Sequence, residues 1–196
     1  MKYSRQMIFY LMLIVMTGSQ CFLFRPGHLN IGSSVKEDYE TGQTRYKKGE
    51  YRAAETLFRK VLEADGRAVF AKYWLGLALY QQNKISAARS QFIQITSLSH
   101  NLPHGYHGLG LIALNGKHRK FEALQRFREA LKKDPKFVDA QWQLALTRLS
   151  LSRGLFGAFA MGQIRQEFLR VIELDPDHPE AFFILGNTYY DYGKLD

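Results

Sequence analysis

His100, His104 and His107 are the residues of this 196-residue chain whose types and spacing come nearest to chemistry. His104 and His107 stand three positions apart, so in a helix both imidazoles share one face and could reach one divalent cation. A metal site needs further ligands, and no carboxylate occurs between Ala68 and Lys120. The single cysteine, Cys21, rules out a thiolate cluster and an intramolecular disulfide. No metal and no cofactor is therefore expected. Gly105-Tyr106-His107-Gly108-Leu109-Gly110 is glycine-rich, but no strand precedes it and it falls inside a helical pattern, so it does not read as a phosphate loop. No nucleophile stands with a base and an acid at a useful spacing. No catalytic residue is assigned, and the chain reads as a non-enzyme.

The elements that carry these residues recur. Gly42, Gly76 and Gly110 lie one repeat apart, and behind each comes a small residue and then a phenylalanine: Ala54 with Phe58, Ala88 with Phe92, Ala123 with Phe127. A fourth copy has Ala145, Ile164 and Phe168, and a fifth opens at Gly186. The first two spacings are 34 residues, the period of stacked helix–turn–helix units. The pattern resembles the tetratricopeptide repeat (TPR) family over about residues 35–196. The resemblance implies an all-α fold, a TPR solenoid in which antiparallel helix pairs wind into a right-handed superhelix. Its repeats cover about 35–68, 69–102, 103–137 and 138–178, with a partial fifth over 179–196. The chain departs from the family where tryptophan is frequent on the first helix: Asp38, Lys72, Tyr106, Gln141 and Phe182 stand there.

Within each repeat the glycine is expected midway along the first helix, where a larger side chain would hold the second helix away. The alanine is expected at the closest approach of the two helices, and the phenylalanine is expected to fill space toward the next repeat. Ile164 replaces that alanine in repeat 4, which predicts looser or shifted packing there. Asp134-Pro135 and Asp175-Pro176 should end the second helix, because proline disfavours a helical residue before it. Gly49, Asn83 and Gly193 suit left-handed turn geometry. Repeat 4 carries extra residues within 150–161, including the apolar Leu155, Phe156 and Phe159.

The family lines its concave groove with the first helix of each pair. Position by position, this implies one column of Tyr39, Tyr73, His107, Trp142 and Phe183. A second is Gln43, Leu77, Leu111, Leu146 and Asn187, and a third is Tyr46, Tyr80, Leu114, Leu149 and Tyr190. The face is aromatic and apolar, suited to an extended peptide or an amphipathic helix. Family members that clamp acidic chaperone tails place lysine and asparagine in the first two columns. Here Tyr39 and Tyr73 replace the lysine, and Leu77 and Leu111 the asparagine, which disfavours that mode.

The chain carries a net charge of +9, concentrated in repeats 2 and 3. The charge would suit an anionic partner, but no nucleic-acid motif accompanies it, and no nucleic acid is expected. At the N-terminus Lys2 and Arg5 precede the apolar run Met7–Met16, and Thr17 and Ser19 offer small residues for cleavage. Residues 1–24 thus read as a signal peptide or a signal-anchor helix, with lipidation at Cys21 a third alternative, and 25–34 as a linker. Each alternative places the repeats outside the cytoplasm, periplasmic or secreted, with residues 7–24 as the membrane anchor if uncleaved.

The expected function is a protein-interaction scaffold or adaptor of the cell envelope. The alternative is a membrane-tethered accessory or regulatory subunit of an enzyme or a secretion or assembly machine, binding through Leu155, Phe156 and Phe159 or the basic convex face. The apolar partial fifth repeat reads as a truncated end or, alternatively, as an exposed helix that forms a homo-oligomer or docks on a partner.

Overall fold

The computed structural model describes residues 33–116, 119–152 and 157–192. The leader, Cys21, Leu155, Phe156 and Gly193 lie outside the described residues. Among the described residues the chain forms nine helices: α1 (Ser33–Lys47), α2 (Tyr51–Ala64), α3 (Val69–Gln81), α4 (Ile85–Leu98), α5 (Pro103–Leu114), α6 (Lys120–Lys133), α7 (Val138–Leu151), α8 (Gly157–Leu174) and α9 (Ala181–Tyr192). Each helix packs on the next, and the odd-numbered helices α1, α3 and α5 also pack on one another. The result is a solenoid of antiparallel pairs, with odd-numbered helices forming one layer. Ser33 and Ser34, read as the end of the linker, open α1.

The two helices of a pair are built differently. Each even-numbered helix buries one stripe at positions i, i+4 and i+7: Ala54, Phe58 and Val61 in α2; Ala88, Phe92 and Ile95 in α4; Ala123, Phe127 and Ala130 in α6; Ile164, Phe168 and Val171 in α8. That is one face of a 3.6-residue period, the other face being left to solvent. Helix α3 instead buries Ala71, Tyr73, Leu75, Gly76, Leu77, Ala78 and Leu79, almost its whole circumference, because helices flank it on both sides.

The phenylalanine reaches the next repeat as expected, and it makes a second contact as well. It turns back onto the glycine of its own repeat. A Cβ built on Gly42 would stand 2.8 Å from Phe58 Cε1, and one on Gly76 would stand 2.5 Å from Phe92 Cε1. Gly110 faces Phe127 in the same way. Phe92 also reaches the following helix, where Gly108 would collide with its ring if it bore a side chain. Phe58 stacks on Trp74 of the next repeat at 6.3 Å. One buried ring therefore keys its own pair and touches the next.

The turns repeat too. Between repeats the same backbone hydrogen bond closes all four junctions: Ala68 N to Asp65 O, Leu102 N to Ser99 O, Phe137 N to Asp134 O and His178 N to Asp175 O. Asp134, before Pro135, is extended as expected, at φ −141° and ψ 101°. Asp65 adopts the same geometry without a following proline (φ −139°, ψ 91°), and its carboxylate accepts from Arg67 N as that of Asp134 accepts from Lys136 N. At these two junctions the aspartate, not the proline, is the shared device, and Ser99 takes a similar extended geometry (φ −152°, ψ 83°) without either. Inside repeats 1 and 2, Gly49 (φ 78°) and Asn83 (φ 59°) take the left-handed geometry expected of them.

Repeat 4 absorbs its extra residues largely as helix. α8 is 18 residues long where α2, α4 and α6 have 14. Ile164, expected to loosen the packing, is fully buried, as are Ala145 and Phe168. The shift expected there appears in the core instead. One cluster runs from Ala54 to Leu144, and a second joins Ala145, Met161, Ile164, Phe168 and Leu185. Helix α9 buries Ala181 and Leu185 but leaves Phe182, Phe183 and Tyr189 at least half exposed.

Candidate binding groove

The odd-numbered helices bring Tyr46, Tyr73, Leu77, Tyr80, His107, Leu111, Leu114 and Trp142 to one groove of about 340 Å³. Helix α1 supplies Tyr46, α3 supplies Tyr73, Leu77 and Tyr80, α5 supplies His107, Leu111 and Leu114, and α7 supplies Trp142. Their three- or four-residue spacing within each helix is what aims them the same way. Tyr39, Leu146 and Phe183 lie outside this groove. Tyr39 packs edge-on against Phe58, Leu146 joins the second core cluster, and Phe183 is 70% exposed on α9. Phe159 falls in the first turn of α8, and Leu155 and Phe156 lie outside the described residues.

The groove has a buried floor and a more open rim. Tyr73, Leu77, His107 and Leu111 form the floor, while Tyr46, Tyr80 and Trp142 are only partly buried. Tyr73 and His107 share a hydrogen bond of 2.9 Å between Oη and Nδ1. Burial, and then the neighbouring His104, push His107 down to about 3, so its ring is neutral at physiological pH. Burial likewise holds His104 at about 4, with Asp134 opposing. His104 spends its ring on packing, edge-on to Phe70 at 5.0 Å and to Tyr73 at 4.8 Å. Among the described residues no group of histidine, cysteine, aspartate and glutamate could hold a metal ion.

Four lining residues were not in the three columns: Trp74, Gln81, Asp139 and Gln143. Asp139 was within reach of the sequence. It stands three residues before Trp142, one turn back on the same face, as His104 stands before His107. Trp74 neighbours a column residue and turns in because it stacks between repeats, edge-on to Tyr46 at 5.2 Å. Solvent reaches Asp139, yet the crowded concave wall raises its carboxyl above the ordinary value, with His178 pulling the other way. Burial, and after it the charge of Asp139, pushes Tyr73 well above its ordinary value. Tyr46 is raised by burial too. The tyrosines therefore act as neutral hydroxyls.

This arrangement of paired helices is matched by known proteins. Residues 39–96 match the sequence profile of the tetratricopeptide repeat. Residues 39–96 carry the tetratricopeptide repeat. A thermophilic TPR protein of Thermus thermophilus superposes with a TM-score of 0.68 at 21% identity, over 83% of this chain and 84% of that one. Pseudomonas aeruginosa pilF gives 0.64 at 17% identity, over 82% and 69%. The first TPR of Spaghetti (RPAP3), solved bound to an HSP90 peptide, gives 0.52 at 19% identity, over 64% and 99%. At these identities the likeness is one of fold. No curated protein sequence matches the chain. The TPR fold is that of a protein-interaction scaffold.

Proposed function

We propose that this TPR chain is a non-catalytic scaffold or adaptor that holds a protein segment in the groove between α1 and α7. The observation that carries the reading is convergence. Eight of the fifteen groove residues implied by the resemblance line one concavity, drawn from four helices. An extended peptide or an amphipathic helix lying across those helices would bury its side chains against Tyr80 and Trp142 and exclude water from the floor. Tyr73 is the wrong residue for a test, because its ring is 4% exposed and its hydroxyl is bonded to His107. Tyr80 and Trp142 are the right ones. The double variant Tyr80→Ala/Trp142→Ala should lose the partner, while Phe156→Ala/Phe159→Ala keeps it. The reverse pattern would move the contact to the insert of repeat 4.

The basic, apolar N-terminal segment supports a location outside the cytoplasm, with residues 7–24 as signal or anchor. Among the described residues no helix is long and apolar enough to cross a membrane, so anchoring would rest on that segment. A reporter enzyme fused after residue 34, active only outside the cytoplasm, checks this placement: an inactive fusion would refute it.

A further inference from the structure

The groove reverses the sign of the molecule around it. The chain carries +9, yet the groove lining holds one carboxylate, Asp139, and no lysine or arginine. Among the described residues no lysine or arginine forms an ion pair with Asp139. Tyr46, Tyr80 and Trp142 line the same groove. Aromatic rings attract a cation through their quadrupole, and a carboxylate beside them adds a direct charge partner.

The floor adds an independent observation. His107 is 4% exposed and its Nε2 has no hydrogen-bond partner. The Tyr73–His107 bond can be arranged in two ways. If the histidine donates, both the tyrosine proton and the Nε2 lone pair go unmatched. If the tyrosine donates to Nδ1, only the Nε2 proton does, so this arrangement is favoured. The Nε2 atom is closed off from solvent, so the floor is a neutral surface and the one charge in the groove lining is that of Asp139.

Resting on the groove reading above, we infer that the segment this groove takes carries a basic side chain. Its guanidinium or ammonium stands between Asp139 and the rings of Tyr80 and Trp142. This is opposite in sign to an acidic tail. It also works against the net field of the protein, which repels cations at long range. A preference for arginine would therefore come from the groove itself.

Trp74 and Trp142 are the only tryptophans in the chain and both line the groove, so intrinsic fluorescence reports its occupancy. The full chain is titrated with three pools of short capped peptides that are alike except for a central arginine, citrulline or glutamate. The arginine pool should bind about tenfold more tightly than the citrulline pool, with glutamate weakest, and Asp139→Asn should reduce that preference to about twofold or less. Equal binding of arginine and citrulline, or a preference that survives Asp139→Asn, overturns the inference. If the pools bind equally and Tyr80→Ala/Trp142→Ala abolishes it, the groove reading stands without the basic side chain. If no pool changes the fluorescence, both fall.

Discussion

Repeats 1 to 3 and repeats 4 and 5 follow the same plan with different fastenings. In the first three, a glycine on the first helix receives a phenylalanine from the second, and the contact is too close for any Cβ. In repeat 4 the glycine is Ala145, and the ring of Phe168 packs against Trp142 at 5.7 Å. In repeat 5 a Cβ on Gly186 would meet nothing within 4 Å. A glycine at the consensus position is therefore required only where a ring occupies the space it leaves. The identity of the residue does not reveal this; its neighbour does.

The sharpest way to break the comparison is to remove a ring. Phe92 is fully buried against Gly76 and Gly108, and Phe92→Ala should cost about 3–5 kcal/mol. Phe183→Ala, on the exposed side of α9, should cost little. Urea unfolding of the two variants checks this, and similar losses would mean that α9 is covered.

Next come the glycines. Gly76→Ala adds a methyl where the ring already sits and should destabilise by about 1–3 kcal/mol, net of its better helix propensity. Gly186→Ala has room and should stabilise α9 by up to about 1 kcal/mol. Hydrogen exchange in α3 and α9 would show the opposite signs, and the same sign in both would remove the distinction.

These contrasts mark how much was legible in the sequence. The even-helix alanine and phenylalanine and the left-handed Gly49 and Asn83 could be read because they depend on local spacing and backbone sterics. That the phenylalanine also turns back onto the glycine of its own repeat could not, since that depends on the separation of two helices. The insert was hard for a related reason. An apolar run such as Gly157-Ala158-Phe159-Ala160-Met161 is consistent with a turn or with added helix until its neighbours are known, and it became the start of α8. In the groove, column arithmetic found the floor but missed Asp139, because the face was cut one turn short. It also included Phe183, which is exposed on α9 and does not line this groove.

The front half also holds the histidines that set its pH response. His107 and His104 have folded values near 3 and 4, below the ordinary 6.5. The unfolded chain therefore gains protons first as pH falls. Stability should be full above about pH 6.5 and decline toward pH 3 to 4, by up to about 1.4 kcal/mol per pH unit for each histidine. His107→Gln should flatten that slope while Tyr73 keeps a partner. A slope unchanged in the variant would place the sensitivity elsewhere.

A smaller effect belongs to Glu55, which ties α2 to the turn of repeat 2. Burial works to raise its carboxyl, but hydrogen bonds from Lys84, Arg59 and Gln82 overcome this and hold it at about 2. Its contribution is present above about pH 4.5 and is lost as pH falls toward 2, and Glu55→Gln should cost about 1 kcal/mol at neutral pH. Denaturation midpoints of the variant at pH 7 and pH 3 should differ less than those of the parent.

The most direct test of the account is site-directed photocrosslinking in the cells that make the protein. A benzophenone side chain is placed at Tyr80 in the groove or at Phe121, which is 72% exposed on α6. The account predicts that Tyr80 captures one protein segment and that Trp142→Ala abolishes the capture, with Phe121 capturing none of it. Capture of the same segment from Phe121, or capture at Tyr80 indifferent to Trp142, would contradict the groove as the binding site.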